Sequence, residues 1–163
     1  MPYQDYLYLL AELAAAFVGF TAIGLMIGTR RGTVWNFAIA GLIERSLAAG
    51  LFAILPSLID SFGIAHSLLW KLCSIGPALY LSTIWYRSTR EWSSWGKNSR
   101  PVSSLAYYVR ASFFVVVTLL AYSNVYYGHI GIYLVCVVWI LIAAALTLLM
   151  LMADLRKHDT SEQ

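Results

Sequence analysis

AELAAAFVGFTAIGLMIG, residues 11–28, is an apolar stretch of mostly small residues with a carboxylate, Glu12, near its start. Its length and composition predict part of a membrane helix, because about 20 apolar residues cross a hydrocarbon core. Glu12 is then the anomaly. A charge at the bilayer centre costs roughly 3 kcal/mol on insertion scales, and more in some simulations. Three later apolar segments carry charge in the same way: Glu44 with Arg45, then Lys71, then Arg110. The rest of the chain is expected to give these groups partners.

Composition fits that setting. The 163 residues are 60% hydrophobic and 12% charged, with a mean hydropathy of +0.71, too little charge to cover a soluble domain of this size. The net charge of +3 is split among short connections and apolar segments, which argues against a nucleic-acid partner. Cys73 and Cys136 both fall in apolar segments and read as small packing residues, with no disulfide framework implied. MPYQDYLYLL at the N-terminus has no positive n-region, so the first segment is expected to be a retained span.

Five segments are long enough to span: 6–27, 37–59, 67–86, 103–127 and 130–152. The fold class predicted is a single all-α integral membrane domain over 1–163, a five-helix bundle. The last two segments form one apolar run, far longer than a bilayer if unbroken. Gly128-His129-Ile130-Gly131 therefore reads as a tight turn, where glycine suits the helix end.

Loop charges test the count. Arg30 and Arg31 lie in the first connection, Arg87, Arg90, Lys97 and Arg100 in the third, and Arg156 and Lys157 in the C-terminal tail. The N-terminal tail and the second and fourth connections have no Lys or Arg. Five spans put every basic connection on one side, with the N-terminus outside and the C-terminus cytoplasmic. The alternative of four spans would put basic loops on both sides. Tyrosines and tryptophans cluster at both predicted boundaries, as interfacial belts do. In the basic cytoplasmic loop 87–102, Arg87, Arg90, Trp92, Trp95, Lys97 and Arg100 read as contacts to anionic lipid headgroups, with an ordinary solvated loop as the alternative.

Depth follows from helical rise. Glu12 lies about 9 Å and Lys71 about 6 Å below the outer boundary, while Glu44, Arg45 and Arg110 lie about 10–12 Å from the inner one. The expected pairs are Glu12–Lys71 and Glu44–Arg110. Arg45 is left over, and would snorkel, meet backbone carbonyls, bind an anion or headgroup, or reach across a subunit interface. On the fourth span Arg110, Phe114, Val117, Ala121 and Asn124 share a face. On the third, Lys71, Ala78 and Ser82 align, with Ser74 at the edge. On the first, Glu12, Ala16 and Gly19 share one face and the GxxxG glycines Gly24 and Gly28 another, predicting a close neighbour on each side. The uncharged fifth span reads as peripheral. Pro56 and Pro77, inside the second and third spans, are expected to kink them, and each kink is a candidate gate.

Motifs for catalysis are missing: no HExxH, phosphate-binding glycine loop, CxxC or G-x-S-x-G occurs. His66 and His129 fall in outer connections, where only Asp60 could join them as a metal ligand, and read as surface residues. No cofactor is expected.

AELAAAFVGFTAIG, with Gly19-Phe20, and the second-span ending Ala53-Ile-Leu-Pro56-Ser-Leu-Ile resemble a broad set of small polytopic bacterial inner-membrane proteins. The resemblance covers mainly the first two spans. It implies a bacterial plasma membrane and lends no activity. Three functions follow as expectations. The preferred one is a non-enzymatic helical scaffold, homo-oligomeric or complex-forming, with the lipid bilayer as its surroundings. The alternative is a small ion or proton channel or transporter lined by the intramembrane charges. The third is a membrane-embedded enzyme acting on lipid, for which the nucleophile or metal cluster is lacking.

Overall fold

The computed structural model describes the backbone of residues 4–28, 32–94 and 104–159, and side chains except those at 24–38, 66–67, 91–107, 109–110 and from 150 onward. The described residues form five helices and no strand: α1 (Gln4–Gly28), α2 (Gly32–Asp60), α3 (His66–Ser94), α4 (Ser104–Tyr127) and α5 (Ile130–Asp159). Three stretches are long and apolar enough to cross a membrane: Gln4–Ile23, Ile39–Asp60 and Ile130–Leu149. Ala111–Tyr127 is a shorter apolar helix. In α3, Lys71, Pro77 and several hydroxyl residues dilute the leucines and isoleucines.

The chain divides into two compact units. The first comprises Met1–Ser57 and Val137–Gln163, the second Leu58–Cys136. In the first, α1 buries Leu7, Ala14 and Thr21, seven residues apart and so on one face. The Thr21 hydroxyl donates to the Phe17 carbonyl at 2.6 Å, within its own helix. On α2 the residue opposite Ala14 is Gly50: a Cβ built there would lie 3.3 Å from the Ala14 Cβ, so the two backbones approach closely. Ile39 and Leu42 of α2 pack with Ala144 of α5, and Ile43 and Leu148 border that cluster.

Two expectations are corrected in this unit. Glu12, Ala16 and Gly19 form the exposed side of α1, and a Cβ at Gly19 would meet nothing within 4 Å. The packed face is the opposite one, where larger Leu7 and Thr21 flank Ala14. The surroundings of Gly24 and Gly28 lie outside the described residues. The fifth helix is also not peripheral. It buries Val137, Ile140, Leu141, Ala143 and Ala144, because its alanines supply a smooth face that apolar count alone conceals.

In the second unit α3 packs on α4. The α3 stripe Trp70, Cys73, Ser74, Pro77, Ala78 and Leu81 is buried, with spacings of three and four. Ser74 therefore sits at the centre of the face rather than at its edge. On α4 the expected face is found: Phe114, Val117, Ala121 and Asn124 are all buried. At the start of α5, Tyr133 and Cys136 are buried, with the Tyr133 ring tilted against Trp70 at 5.6 Å between centroids.

The two described connections, after α2 and after α4, are short. After α2, the Gly63 N–H donates to the Asp60 carbonyl at 2.9 Å, and Gly63 has a left-handed φ of 70°. The expected turn between the fourth and fifth segments is present, with α4 ending at Tyr127 and α5 beginning at Ile130. Gly128 takes φ of 71° there, which a side chain would resist. One boundary differs from expectation. Residues 87–94 of the basic segment continue α3, since no glycine or proline interrupts the chain between Pro77 and Gly96.

Candidate functional site

Arg45, the charge left without an expected partner, finds one on α5. Its Nη1 donates to the Thr147 Oγ1, and the Thr147 hydroxyl in turn donates to the Ala143 carbonyl at 2.9 Å. The geometry follows from the helix. Side chains lean toward the N-terminus, so Arg45 runs back over Gly41, where a Cβ would stand 3.9 Å from its Nη2. Gly41 thus leaves a slot along α2 for the guanidinium. A hydroxyl that accepts from a charged donor while passing its own proton to a backbone carbonyl ties α2 to α5 in one register. Thr147 was legible in principle, being the single Ser or Thr of α5.

Asn124 is the second node. It is fully buried and uses both ends of its amide. Nδ2 donates to the Ser74 Oγ at 2.7 Å, and Oδ1 accepts from the His129 backbone N–H at 2.7 Å. Ser74 passes its own proton to the Trp70 carbonyl at 2.7 Å. The Asn124 carbonyl meanwhile accepts from the Gly128 N–H at 2.8 Å, the bond that closes a left-handed helix end. One residue therefore joins α3, the end of α4 and the turn into α5. Lower on the same helix pair, the Tyr122 hydroxyl and Ser82 Oγ lie 3.1 Å apart, and Ser82 donates to the Ala78 carbonyl at 2.8 Å.

Around this node lies an aromatic rim. The Lys71 ammonium is 5.9 Å from the centroid of the Tyr126 ring, within cation–π range. Tyr126 meets Tyr127 edge-on at 5.3 Å, and Tyr127 stacks with His129 at 6.4 Å. Cys73 and Cys136 are free and buried, the latter with its thiol 4.0 Å from the Val117 carbonyl. That agrees with their reading as packing residues.

The remaining predicted residues are placed individually. Glu12 is exposed on α1 and belongs to the first unit, whereas half-buried Lys71 belongs to the second. Glu44 is half-buried on α2, and the side chain of its expected partner Arg110 lies outside the described residues. Pro56 and Pro77 are both buried, and α2 and α3 continue through them. Each removes one helical donor, from the carbonyls of Phe52 and Cys73 respectively. Arg87 and Arg90 are exposed on the last turns of α3. The side chain of Trp92, and Trp95, Lys97 and Arg100 entirely, lie outside the described residues, as does the side chain of His66. No group of three or more metal-ligating side chains occurs among the described residues. No protein-family model, curated protein or solved structure matches the chain.

Proposed function

We propose that the chain is a five-span protein of the bacterial inner membrane, N-terminus outside, that serves as a non-enzymatic helical scaffold. The observation that carries the spanning part is the large apolar side chains on the exposed faces of α3 and α4. Alpha-3 exposes Leu68, Leu72, Ile75 and Leu79, and buries Cys73, Ser74 and Ala78 together with Leu69, Trp70 and Leu81. Alpha-4 exposes Phe113, Val116, Leu119 and Leu120, and buries Ala121 and Asn124 together with Phe114 and Val117. A soluble bundle does not present such continuous apolar faces, because water selects polar residues for the surface. In lipid, small and weakly polar residues go between helices and the large apolar ones face outward. The alternation of basic connections supports the orientation. The bacterial membrane is what the resemblance of the first two spans implies.

Single cysteines in a Cys73→Ala/Cys136→Ala background test the topology. Ser61→Cys, in the exposed α2–α3 connection, is expected to react with an impermeant maleimide from outside intact cells. Ser88→Cys, exposed on the extension of α3, is expected to react only after permeabilisation. The opposite pattern overturns the orientation. Both positions on one side overturn the five-span count.

The scaffold reading is supported by where the polar groups point. Arg45 and Asn124 both bond to other helices or to the turn that joins them. Groups so engaged hold register, which is the best-attested use of polar residues inside bundles. Reconstituted liposomes are accordingly expected to show no more proton or small-anion flux than empty ones. Flux that vanishes in a folded Arg45→Gln protein would establish the channel reading instead.

A further inference from the structure

Glu12 points away from its own bundle. Measured by helical rotation it lies about 140–180° from Leu7, Ala14 and Thr21, the buried face of α1. Its neighbours on the outward stripe, Ala16 and Gly19, are exposed too, as is Ile23. In the five-span reading this carboxylate sits about 9 Å beneath the outer membrane boundary. Hydrocarbon does not solvate it there, and such groups face a partner of opposite charge.

The chain carries a complementary group at nearly the same level. Lys71 lies about 6 Å beneath that boundary on α3. Its ammonium rests over the Tyr126 ring, which is 76% exposed, so the cation stands at the rim of its unit rather than at its centre. A symmetric contact of α1 with α1 would set two Glu12 carboxylates together and is disfavoured by their repulsion. Charge complementarity selects a contact of α1 in one copy with α3 in another.

We infer that Glu12 of one copy pairs with Lys71 of a second copy, α1 of the first lying along α3 of the second, so that the protein self-assembles in the membrane. The inference rests on the five-span reading, which sets both depths. Ala16 and Gly19 leave room beside Glu12 for the second helix to approach. Such a pair is met reciprocally in a two-fold dimer, or in one direction only in a ring or a chain of copies.

Two differently tagged copies in the Cys73→Ala/Cys136→Ala background test it. One carries Ala16→Cys and the other Ile75→Cys, each exposed and one turn deeper than its charge. Because α1 and α3 run the same way across the membrane in this reading, the two cysteines come together. Oxidation is expected to give a dimer bearing both tags. Glu12→Leu in the first copy should cut that yield at least tenfold, and so should Lys71→Leu in the second. Glu12→Lys in the first with Lys71→Glu in the second should restore it, which separates pairing from misfolding. No mixed dimer in cells where Ser61→Cys and Ser88→Cys label on opposite sides as expected overturns this inference alone. So does a crosslink that forms only within one chain bearing both cysteines, or one indifferent to Glu12→Leu. Labelling of both positions on one side removes the five-span reading and this inference together.

Discussion

Asn124→Ala is expected to lower stability by about 3 kcal/mol, a large loss for any single substitution. Three losses combine. The amide of Asn124 no longer donates to Ser74, a bond of the kind that contributes about 0.6 and at most about 1.7 kcal/mol between membrane helices. The His129 N–H loses the acceptor that ends α4, comparable to losing a cap at about 1 kcal/mol. The vacated amide also leaves a void in a fully buried site, which adds a further contribution of about 1 kcal/mol. Ser74→Ala removes only the first of these and should cost about 1 kcal/mol. The double variant should fall short of the sum, because the two side chains share one bond. Reversible unfolding in mixed detergent micelles, followed by helicity, measures all three. A loss below about 0.5 kcal/mol for Asn124→Ala would mean the node does not hold α3, α4 and the turn together.

How far the fold could be read in advance depended on chemistry that lipid does not blur. In a soluble helix the period of hydrophobicity marks the buried face. Here the exposed and buried sides of the helices are both apolar, so that period carries little contrast. Charged and glycine residues between segments stood out against it, and the five helices and the Gly128 turn were legible. On α4 the polar Asn124 marked a face, and Phe114, Val117 and Ala121 are buried along it. On α1 the same logic marked a face that the chain itself leaves exposed. Glu12, Ala16 and Gly19 line up as a small-residue stripe, yet Leu7, Ala14 and Thr21 meet the bundle. On α5 the lack of charge concealed an alanine face and the hydroxyl of Thr147. Arg45 was recognised as needing a partner, but the choice among lipid, anion and neighbour could not be made without knowing which helix lay beside Gly41. Which helices are neighbours is the information that a single membrane sequence hides most completely.

Gly50→Leu is expected to cost about 2–3 kcal/mol, the range in which overpacking displaces backbone. The contact at stake is the close approach of α1 to α2, where even a methyl on Gly50 would lie 3.3 Å from the Ala14 Cβ. A methyl needs a shift of a few tenths of an ångström, and alanine regains up to about 1 kcal/mol of helix propensity over glycine. Gly50→Ala should therefore change stability little. Leucine has no such remedy. Its branched end must either push α1 outward, exposing Leu7, Ala14 and Thr21, or adopt a strained rotamer. Moving the methyl across the contact checks the cause: Gly50→Ala with Ala14→Gly should equal or exceed Gly50→Ala alone. Gly131→Leu supplies the comparison, since a Cβ there meets nothing within 4 Å. If Gly50→Leu and Gly131→Leu unfold together, α1 is not held at Ala14. The outward direction of Glu12 would then lose its anchor, because the buried face that defines it turns about that contact.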